Sequence, residues 1–375
     1  MHTLAQALAA LALLHVAAMW VPPVVWALWI ARFVALETSL VGAALGASAL
    51  GLGLGSGQPL VQAIGLVALA SGLAPLVAAL PAYAREGLSF SLRAWITGGA
   101  VDQVAIERDV DLGEGLRADL YRAPGAGPHP FVIVVHGGSW RSGDKGEVAR
   151  ESRALAAAGY SVVDARYRLA PAHPFPVAVD DVRAVLRLVR AQAAALGLDP
   201  SRAALLGRSA GAQIALVAAY GGGSPDERGA PPSAVVSLYG PTDLAWCHAH
   251  PFVPDVVEGT SALEGYLGGA PGARPEAYRL ATPMTLAPSA DVATLILHGE
   301  AERCVRPVNA RRLHDALVAK GKRSNLVMIP FAEHGFDVRP GGVGTQLARG
   351  VILAFLGREL ARDLRGARHD HATTA

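Results

Sequence analysis

"LLGRSAGA", residues 205–212, is the stretch that decides the fold class of this chain. It joins an apolar run typical of a buried strand to "QIALVAAY" (213–220), a segment typical of a helix. Gly207, Ser209 and Gly211 therefore stand in the order G-x-S-x-G at a strand-to-helix turn. The small residues of such a sharp turn expose the serine above a sheet, which makes Ser209 a candidate nucleophile. The alternative is an ordinary glycine-rich turn, because the pentapeptide is common outside this context.

Strands and helices alternate on both sides of this turn. "FVIVVHGG" (131–138), "AVVSLYG" (234–240) and "VATLILHG" (292–299) are apolar runs that end in glycine. Continuous apolar runs are typical of strands buried on both faces, so the alternation predicts an α/β fold with a mostly parallel sheet between helices. Residues 241–288 interrupt the alternation and are rich in Pro, Gly, His and aromatic residues. We expect this segment to be an inserted lid.

The front of the chain has a different composition. The whole chain is 52% hydrophobic with a mean hydropathy of +0.33, and its residues 1–82 contain only Arg32 and Glu37 as charged residues. Four apolar segments lie in the front part, at 4–20, 24–36, 39–55 and 60–84. A helix needs about 20 apolar residues to cross a bilayer, so the pattern predicts three or four membrane helices. The first two segments are either two short passes or one pass and an interfacial piece.

A signal peptide is the alternative interpretation of residues 1–20. That stretch lacks Lys and Arg near its start, and further apolar segments follow it, so we favour membrane helices. Arg85 and Arg93 follow the last apolar segment. By the positive-inside rule they predict a multi-pass membrane protein with its C-terminal domain in the cytoplasm.

The charge balance and the cysteine content exclude some functions. A net charge of +2 gives no basic face for nucleic acid. Cys247 and Cys304 are too few for a disulfide framework, although one bridge between them is left open.

A second motif, "HGGSW" (136–140), follows an apolar strand. A glycine pair at this point leaves backbone N–H groups free to stabilise a developing oxyanion. Gly137 and Gly138 are the candidate donors, together with Ala210, which follows the serine. An ordinary strand-exit turn is the alternative, and only the nearby serine motif disfavours it.

A serine nucleophile needs a base, and the candidate is His334 in "FAEHGFD" (331–337), after the last predicted strand. His136 and His298 come too early in the chain and are expected to brace loops. The H-x-H pair at 248 and 250 has no evident third ligand, so no metal is predicted.

The acid that orients this base must lie between the serine and the histidine, at the carboxyl end of a strand. Asp243, Glu300 and Glu302 satisfy that condition, whereas Asp291 precedes its strand. The residues alone leave the choice open.

Taken together, these motifs resemble the α/β-hydrolase fold, and most closely the hormone-sensitive-lipase-like and feruloyl-esterase-like carboxylesterases, over roughly residues 100–360. The motifs that carry the resemblance are "HGGSWRSGDK", "YRLAPAHPFPVAVDDV", "DPSRAALLGRSAGAQIALVAAY", "YGPTDL", "LILHGEAERCV" and "PFAEHGFD". In that family the acid is usually Asp in the pattern H-G-x-x-D-x-x-V. Counted from His298, the resemblance selects Glu302, a Glu in place of Asp. Ser139 is a smaller departure, since the family often has a third glycine there.

The apolar front part, which the family usually lacks, predicts a membrane anchor. The resemblance implies a serine hydrolase that cleaves carboxylic esters through an acyl-enzyme, with Ser209, His334 and Glu302 as its catalytic residues. It implies no cofactor, and the expected partners are a small-molecule or lipid-like ester and membrane lipids. An acyltransferase or an arylformamidase-like amidase with the same residues is the first alternative. A non-catalytic membrane scaffold that retains the fold is the second.

The predicted organisation has four parts along the chain. They are a membrane domain at 1–84, a linker at 85–99, an α/β-hydrolase domain at 100–365 with the lid at 241–288, and a disordered tail at 366–375.

Overall fold

The computed structural model describes residues 1–100, 103–222 and 229–370. Its front part consists of the helices α1 (His2–Trp20), α2 (Trp26–Glu37), α3 (Ser39–Ser56) and α4 (Pro59–Arg85). Within the described residues, α1, α3 and α4 are long and apolar enough to cross a membrane, whereas α2 has only 12 residues. Of the two predicted arrangements, this geometry favours one pass followed by an interfacial piece.

The outward side of these long helices is apolar. Leu4, Leu14, Leu54, Leu66 and Val77 each expose more than half of their surface. Apolar side chains exposed over so many turns are costly in water and favourable in lipid. The membrane domain itself stays a prediction, which this surface supports.

The remainder of the described chain is built on an eight-stranded sheet in the order β1-β2-β4-β3-β5-β6-β7-β8. The strands are β1 (Ile106–Gly113), β2 (Leu116–Tyr121), β3 (His129–Val135), β4 (Ser161–Ala165), β5 (Leu198–Arg208), β6 (Ala234–Leu238), β7 (Ala293–Gly299) and β8 (Ser324–Ile329). Strand β2 pairs antiparallel with both β1 and β4, and the pairs from β4 to β8 are parallel. The predicted mostly parallel sheet is therefore confirmed.

Further helices follow the front part, and they include those that cover both faces of the sheet. They are α5 (Leu92–Thr97), α6 (Ala149–Ala157), α7 (Val177–Ala191), α8 (Ala193–Leu196), α9 (Ala210–Ala219), α10 (Leu244–Ala249), α11 (Gly259–Leu267), α12 (Pro275–Ala281), α13 (Pro283–Leu286), α14 (Val308–Ala319) and α15 (Val343–Asp370). Helix α5 lies within the predicted linker. Helix α15 continues past residue 366 into the predicted tail, and residues 371–375 lie outside the described part of the chain.

Two layers of apolar side chains fill the spaces between the sheet and its helices. On one face, Val179 of α7 and Ile214 of α9 pack against the strands. On the other face, Phe355 of α15 and Leu155 of α6 pack together with Tyr83 from the end of α4. The front helices therefore share a core layer with the sheet.

The lid segment lies between β6 and β7 and contains the short helices α10 to α13. It follows the carboxyl end of β6, and β6 runs parallel to β5 and β7. Loops that leave parallel strands at this end meet above one edge of the sheet, which is where open α/β sheets bind ligands.

Candidate active site

Ser209 occupies the tip of a strained turn between β5 and α9. Its backbone has φ 54° and ψ −121°, a conformation that residues with a side chain rarely adopt. The glycines two positions before and after Ser209 make this tight turn possible, because a side chain at either of them would clash with the backbone. A Cβ on Gly207 would lie 2.2 Å from the carbonyl oxygen of Gly211, and a Cβ on Gly211 would lie 2.2 Å from that of His136. The G-x-S-x-G spacing is thus required for helix α9 to begin this close to the sheet.

His334 follows β8 and reaches both the serine and a carboxylate. Its Nε2 lies 2.9 Å from the Oγ of Ser209. Its Nδ1 lies 2.9 Å and 3.0 Å from the two carboxylate oxygens of Glu302. A carboxylate only accepts hydrogen bonds, so the ring proton lies on Nδ1, and Nε2 accepts the hydroxyl proton of the serine.

Glu302 is buried, with 2% of its surface exposed, and is held by its own loop. Its Oε1 accepts the backbone N–H groups of Cys304 at 2.8 Å and Val305 at 2.9 Å. Burial opposes the charge of Glu302, but the facing His334 outweighs it and holds the carboxyl pKa below its ordinary value. Burial likewise opposes charge on His334, and the Glu302 carboxylate overcomes it to raise the imidazole pKa above 6.5.

The other two candidate acids have different partners. Glu300 pairs with Arg311 at 3.0 Å on the protein surface. Asp243 caps helix α10 and pairs with Arg312 at 2.9 Å. Among the described residues, the structure therefore brings Glu302 to the base, the residue that the family resemblance selected.

His298 lies beneath the loop that contains Glu302 (residues 300–307, the acid loop). Its ring is completely buried, and its Nε2–H donates to the carbonyl of Val305 at 2.9 Å. Burial is the main cause that lowers the pKa of His298, so the ring is neutral. It lies at the predicted loop-bracing position and fixes the turn that carries Glu302.

The predicted oxyanion donors lie beside the serine. Gly138 has φ 109°, and a Cβ there would lie 2.1 Å from the carbonyl oxygen of Ser142, so only glycine fits. Ala210 is the first residue of α9, so its N–H has no intrahelical acceptor. Both residues line the same cavity as Ser209. A Cβ on Gly137 would lie 3.3 Å from the Cβ of the serine, so this glycine packs directly against the turn.

A buried ion pair that the sequence analysis did not predict connects the serine turn to the loop after β8 that contains His334 (residues 330–337, the base loop). The Nε–H of Arg208 donates to Asp337 at 2.6 Å, and the hydroxyl of Tyr239 donates to the other oxygen of the same carboxylate at 2.6 Å. The Tyr239 ring also packs against the His334 ring, with 4.6 Å between centroids. The only sequence signal for this pair was a charged residue inside the serine motif.

Glu333 is a second buried carboxylate that sequence reasoning missed. Its Oε1 accepts the backbone N–H groups of Arg303 at 2.6 Å and His334 at 3.0 Å. Its Oε2 accepts from the Nε–H of Arg32, on helix α2, at 3.3 Å. Burial, followed by the nearby charge of Glu302, raises the pKa of Glu333 to about 7. The base loop thus contains a titratable carboxyl group, Glu333, that is hydrogen-bonded to helix α2.

A cavity of about 560 Å³ opens above the serine. Besides the residues around Ser209, other parts of the chain contribute to its walls. The lid contributes Trp246 and Cys247, the acid loop contributes Cys304, and helix α2 contributes Trp26 and Trp29. The two cysteines are free thiols, so the bridge left open by the sequence is absent from the described residues.

One cluster of metal-ligand type occurs within the described ranges, formed by Glu302, Cys304 and His334, with ligand atoms within 4.8 Å of one another. Two of its members already form a hydrogen bond to each other. Burial and the charge of Glu302 raise the pKa of the Cys304 thiol well above its ordinary value, so it is neutral and a poor ligand. In the lid, His248 pairs with Glu264 at 2.8 Å.

Sequence comparison places the catalytic part among esterase relatives. The chain is 42% identical over 118 residues to "Carboxylesterase NlhH" of Mycobacterium tuberculosis (strain CDC 1551 / Oshkosh), covering 31% of this chain and 36% of the relative. It is 28% identical over 250 residues to "Probable carboxylic ester hydrolase LipM" of Mycobacterium tuberculosis (strain ATCC 25618 / H37Rv), covering 62% of this chain and 57% of the relative. The chain thus spans less than two thirds of the length of either curated relative.

Solved structures agree on the fold. A truncated carbohydrate esterase from gut microbiota matches with a TM-score of 0.59 at 22% identity, covering 70% of this chain and 99% of that chain. A Pyrobaculum calidifontis esterase matches with a TM-score of 0.58 at 26% identity, covering 68% and 85%. The fold is therefore that of the α/β-hydrolase esterases. The protein-family model BD-FAE matches residues 118–317, more than half of the chain, and the chain therefore belongs to the BD-FAE family.

Proposed function

We propose that this chain is a membrane-anchored serine hydrolase that cleaves carboxylic esters through an acyl-enzyme intermediate. The observation that carries the proposal is the hydrogen-bonded series from Ser209 through His334 to Glu302. A nucleophile, a base and a buried acid in this order are the arrangement that acyl transfer requires. The names of the two curated relatives, both ester hydrolases, support the reaction class.

The first half of the reaction forms the acyl-enzyme. The Oγ of Ser209 bonds to the acyl carbon while its proton passes to Nε2 of His334. The N–H groups of Gly138 and Ala210 donate to the resulting oxyanion, and Gly137 is the third predicted donor. His334 then gives its proton to the departing alkoxide, and the ester C–O bond breaks.

The second half restores the enzyme. Water loses a proton to His334 as its oxygen attacks the acyl carbon, and the proton then returns to Ser209 when the carboxylic acid leaves. Glu302 stays ionised throughout and stabilises the imidazolium. The side chain of Glu302 is longer than that of the usual Asp, yet both of its carboxylate oxygens lie within 3.0 Å of Nδ1 of His334. The longer side chain therefore fits this position.

The complete site also bears on the non-catalytic scaffold as an alternative. A scaffold has no need of a neutral acceptor nitrogen on His334 or of a strained Ser209, and strain of this kind costs about 1–3 kcal/mol. The positive φ of Ser209 is therefore support for an enzyme.

Two features support the membrane anchor. Helices α1, α3 and α4 have the length and composition of membrane spans, and their outward side chains are apolar. Arg85 and Arg93 follow the last of them and support a cytoplasmic catalytic domain. An ester with lipid-like solubility is then the substrate class that the anchored site would meet.

Labelling with a fluorophosphonate probe tests the nucleophile and the anchor together. The wild-type chain is expected to react, Ser209→Ala to lose all labelling, and the labelled band to stay with membranes after an alkaline carbonate wash. Ser139→Ala is the matched control, because Ser139 lines the same cavity.

An unlabelled wild type, or a labelled Ser209→Ala, would overturn the hydrolase proposal. A labelled band in the wash would overturn the anchor, and cleavage by protease added to intact cells would overturn the cytoplasmic orientation.

A further inference from the structure

We propose that helix α2 is a wall of the catalytic cavity and that its Trp26 and Trp29 select esters with an extended apolar acyl chain. This inference rests on the proposed ester hydrolysis and adds to it the substrate class and the residues that choose it. It gives the front of the chain a role in specificity besides anchoring.

The two indole rings lie where the substrate must enter. Trp26 and Trp29 both line the cavity that contains Ser209 and His334. Their rings stack with 4.8 Å between centroids and 26° between planes. Trp26 is 53% exposed and Trp29 only 7%, so the pair extends from the mouth of the cavity towards its interior. Indole rings offer large rigid apolar faces, which suit a hydrocarbon chain.

Packing fixes this wall against the base loop. Arg32, one turn beyond Trp29, donates to Glu333 through Nε and to the carbonyl of Met19 through Nη1 at 2.7 Å. Further along α2, Ala35 and Leu36 pack with Met19, and the acid and base loops contribute Ala301 and Phe331 to the same cluster. Helix α2 therefore cannot move away from the cavity without breaking a buried ion pair and an apolar cluster.

The lid adds apolar side chains to the same cavity. Val257 and Leu263 line it together with the two indoles, so a chain inserted beside Trp29 has apolar contacts available from the lid as well. Polar side chains such as Arg141, Glu258 and Arg306 line the cavity as well, so the apolar contacts come from particular side chains of its wall. An ester carbonyl held at Ser209, with its hydrocarbon chain against the indoles and the apolar lid residues, fits this lining.

The cavity mouth also adjoins the surface proposed to meet lipid. Val21, Val24 and Val25 connect α1 to α2 and are each about half exposed, at 49%, 57% and 53%. They immediately precede Trp26 in the chain. Apolar side chains exposed at this place favour entry of an ester dissolved in the membrane over one dissolved in water.

The test compares acyl chain lengths in the full-length, detergent-solubilised protein. The variants are Trp29→Ala, Trp26→Ala and the conservative Trp29→Phe. Trp20→Ala is the matched control, because Trp20 is 53% exposed like Trp26 but packs on Phe331 and does not line the cavity above Ser209. The measurement is kcat/KM for p-nitrophenyl acetate and p-nitrophenyl octanoate, normalised to the fraction of chain that a fluorophosphonate labels.

Trp29→Ala is expected to lower kcat/KM for the octanoate by about tenfold and for the acetate by less than about twofold, because only the longer chain reaches the indole. Trp26→Ala should show the same trend more weakly, and Trp29→Phe and Trp20→Ala should retain the wild-type ratio. Equal losses on both esters, or none, would overturn the inference while leaving the hydrolase proposal intact. A wild type that does not label or turn over would instead overturn the proposed function.

Discussion

The carboxyl edge of the sheet and helix α2 both contact the catalytic cavity, but they are held there in different ways. At the sheet edge, Ser209, Glu302 and His334 each follow a strand and are fixed by turns and by hydrogen bonds to one another. Helix α2 has no strand to fix it and rests on one ion pair, between Arg32 and Glu333, and on apolar packing.

This difference matches the two proposed roles, which are proton transfer at the sheet edge and substrate selection at α2. Groups that transfer protons must keep their atoms within hydrogen-bond distance, and the rigid strand ends of β5, β7 and β8 provide that precision. A wall that selects substrates needs only a surface of the right shape. Changes at the sheet edge are therefore expected to abolish turnover, and changes at α2 to alter its rate and preference.

The largest expected effect is at the sheet edge. Glu302→Gln should lower kcat by about 10³–10⁴-fold, because an amide neither stabilises the imidazolium nor favours the Nδ1–H tautomer of His334. Steady-state kinetics on p-nitrophenyl acetate measures the loss. Glu300→Gln is the control on the same loop and should stay within about twofold of wild type, since it loses only an exposed pair with Arg311. Similar small losses in both variants would show that Glu302 does not act as the acid.

A smaller effect is expected where α2 meets the base loop. Arg32→Met should lower kcat by about tenfold, because the buried Glu333 loses its cation and the adjacent base loop shifts. The double variant R32M/E333Q removes both charges and should recover to within about threefold of wild type. Arg303→Met is the control, because the Arg303 side chain lies over the Phe252 ring and only its backbone contacts Glu333. A double variant as slow as Arg32→Met would contradict the charge argument.

The smallest effect concerns pH. His334 must be neutral to accept the serine proton, and Glu302, Glu333 and Asp337 raise its pKa above 6.5 against the opposing effect of burial. Activity should therefore fall as pH decreases through a midpoint above 6.5. R32M/E333Q keeps Glu302 but lacks the charge of Glu333, so the midpoint of its profile should lie below that of the wild type. Profiles of kcat/KM against pH measure both midpoints. A midpoint at or below 6.5 in wild type would contradict the sign of the effect.

Much of the fold was predictable because its signals are local. The central strands β3, β6 and β7 are largely continuous apolar runs, and each ends at a glycine or a polar loop, as "VATLILHG" does before Glu300. Helix lengths in the front part could be predicted for the same reason. The continuation of α15 past residue 366 had no signal, because that segment is rich in charge and lacks an apolar stripe.

The residues of the candidate site that lie in sequence motifs could be predicted. The residues that join the site only through packing in the folded chain could not. Ser209 and His334 lie in motifs, and the distance from His298 selected Glu302. Contacts such as Arg208 with Asp337 join residues 129 positions apart, and no spacing within the chain indicates them. Trp29 is similar, because an indole in an apolar helix suggests a membrane interface, and only the folded chain places it in a cavity.

The ion pair between Arg32 and Glu333 also has a consequence for synthesis. Because 301 positions separate the two residues, a ribosome releases the guanidinium long before the carboxylate that meets it. Strand β8 and the loop after it are made among the last parts of the fold, and they bring Glu333 and His334 together. A chain cut short before β8 therefore lacks both the partner of Arg32 and the base of Ser209. Premature termination before β8 should therefore yield a fragment without hydrolase activity. It should not yield an active hydrolase with a changed substrate preference.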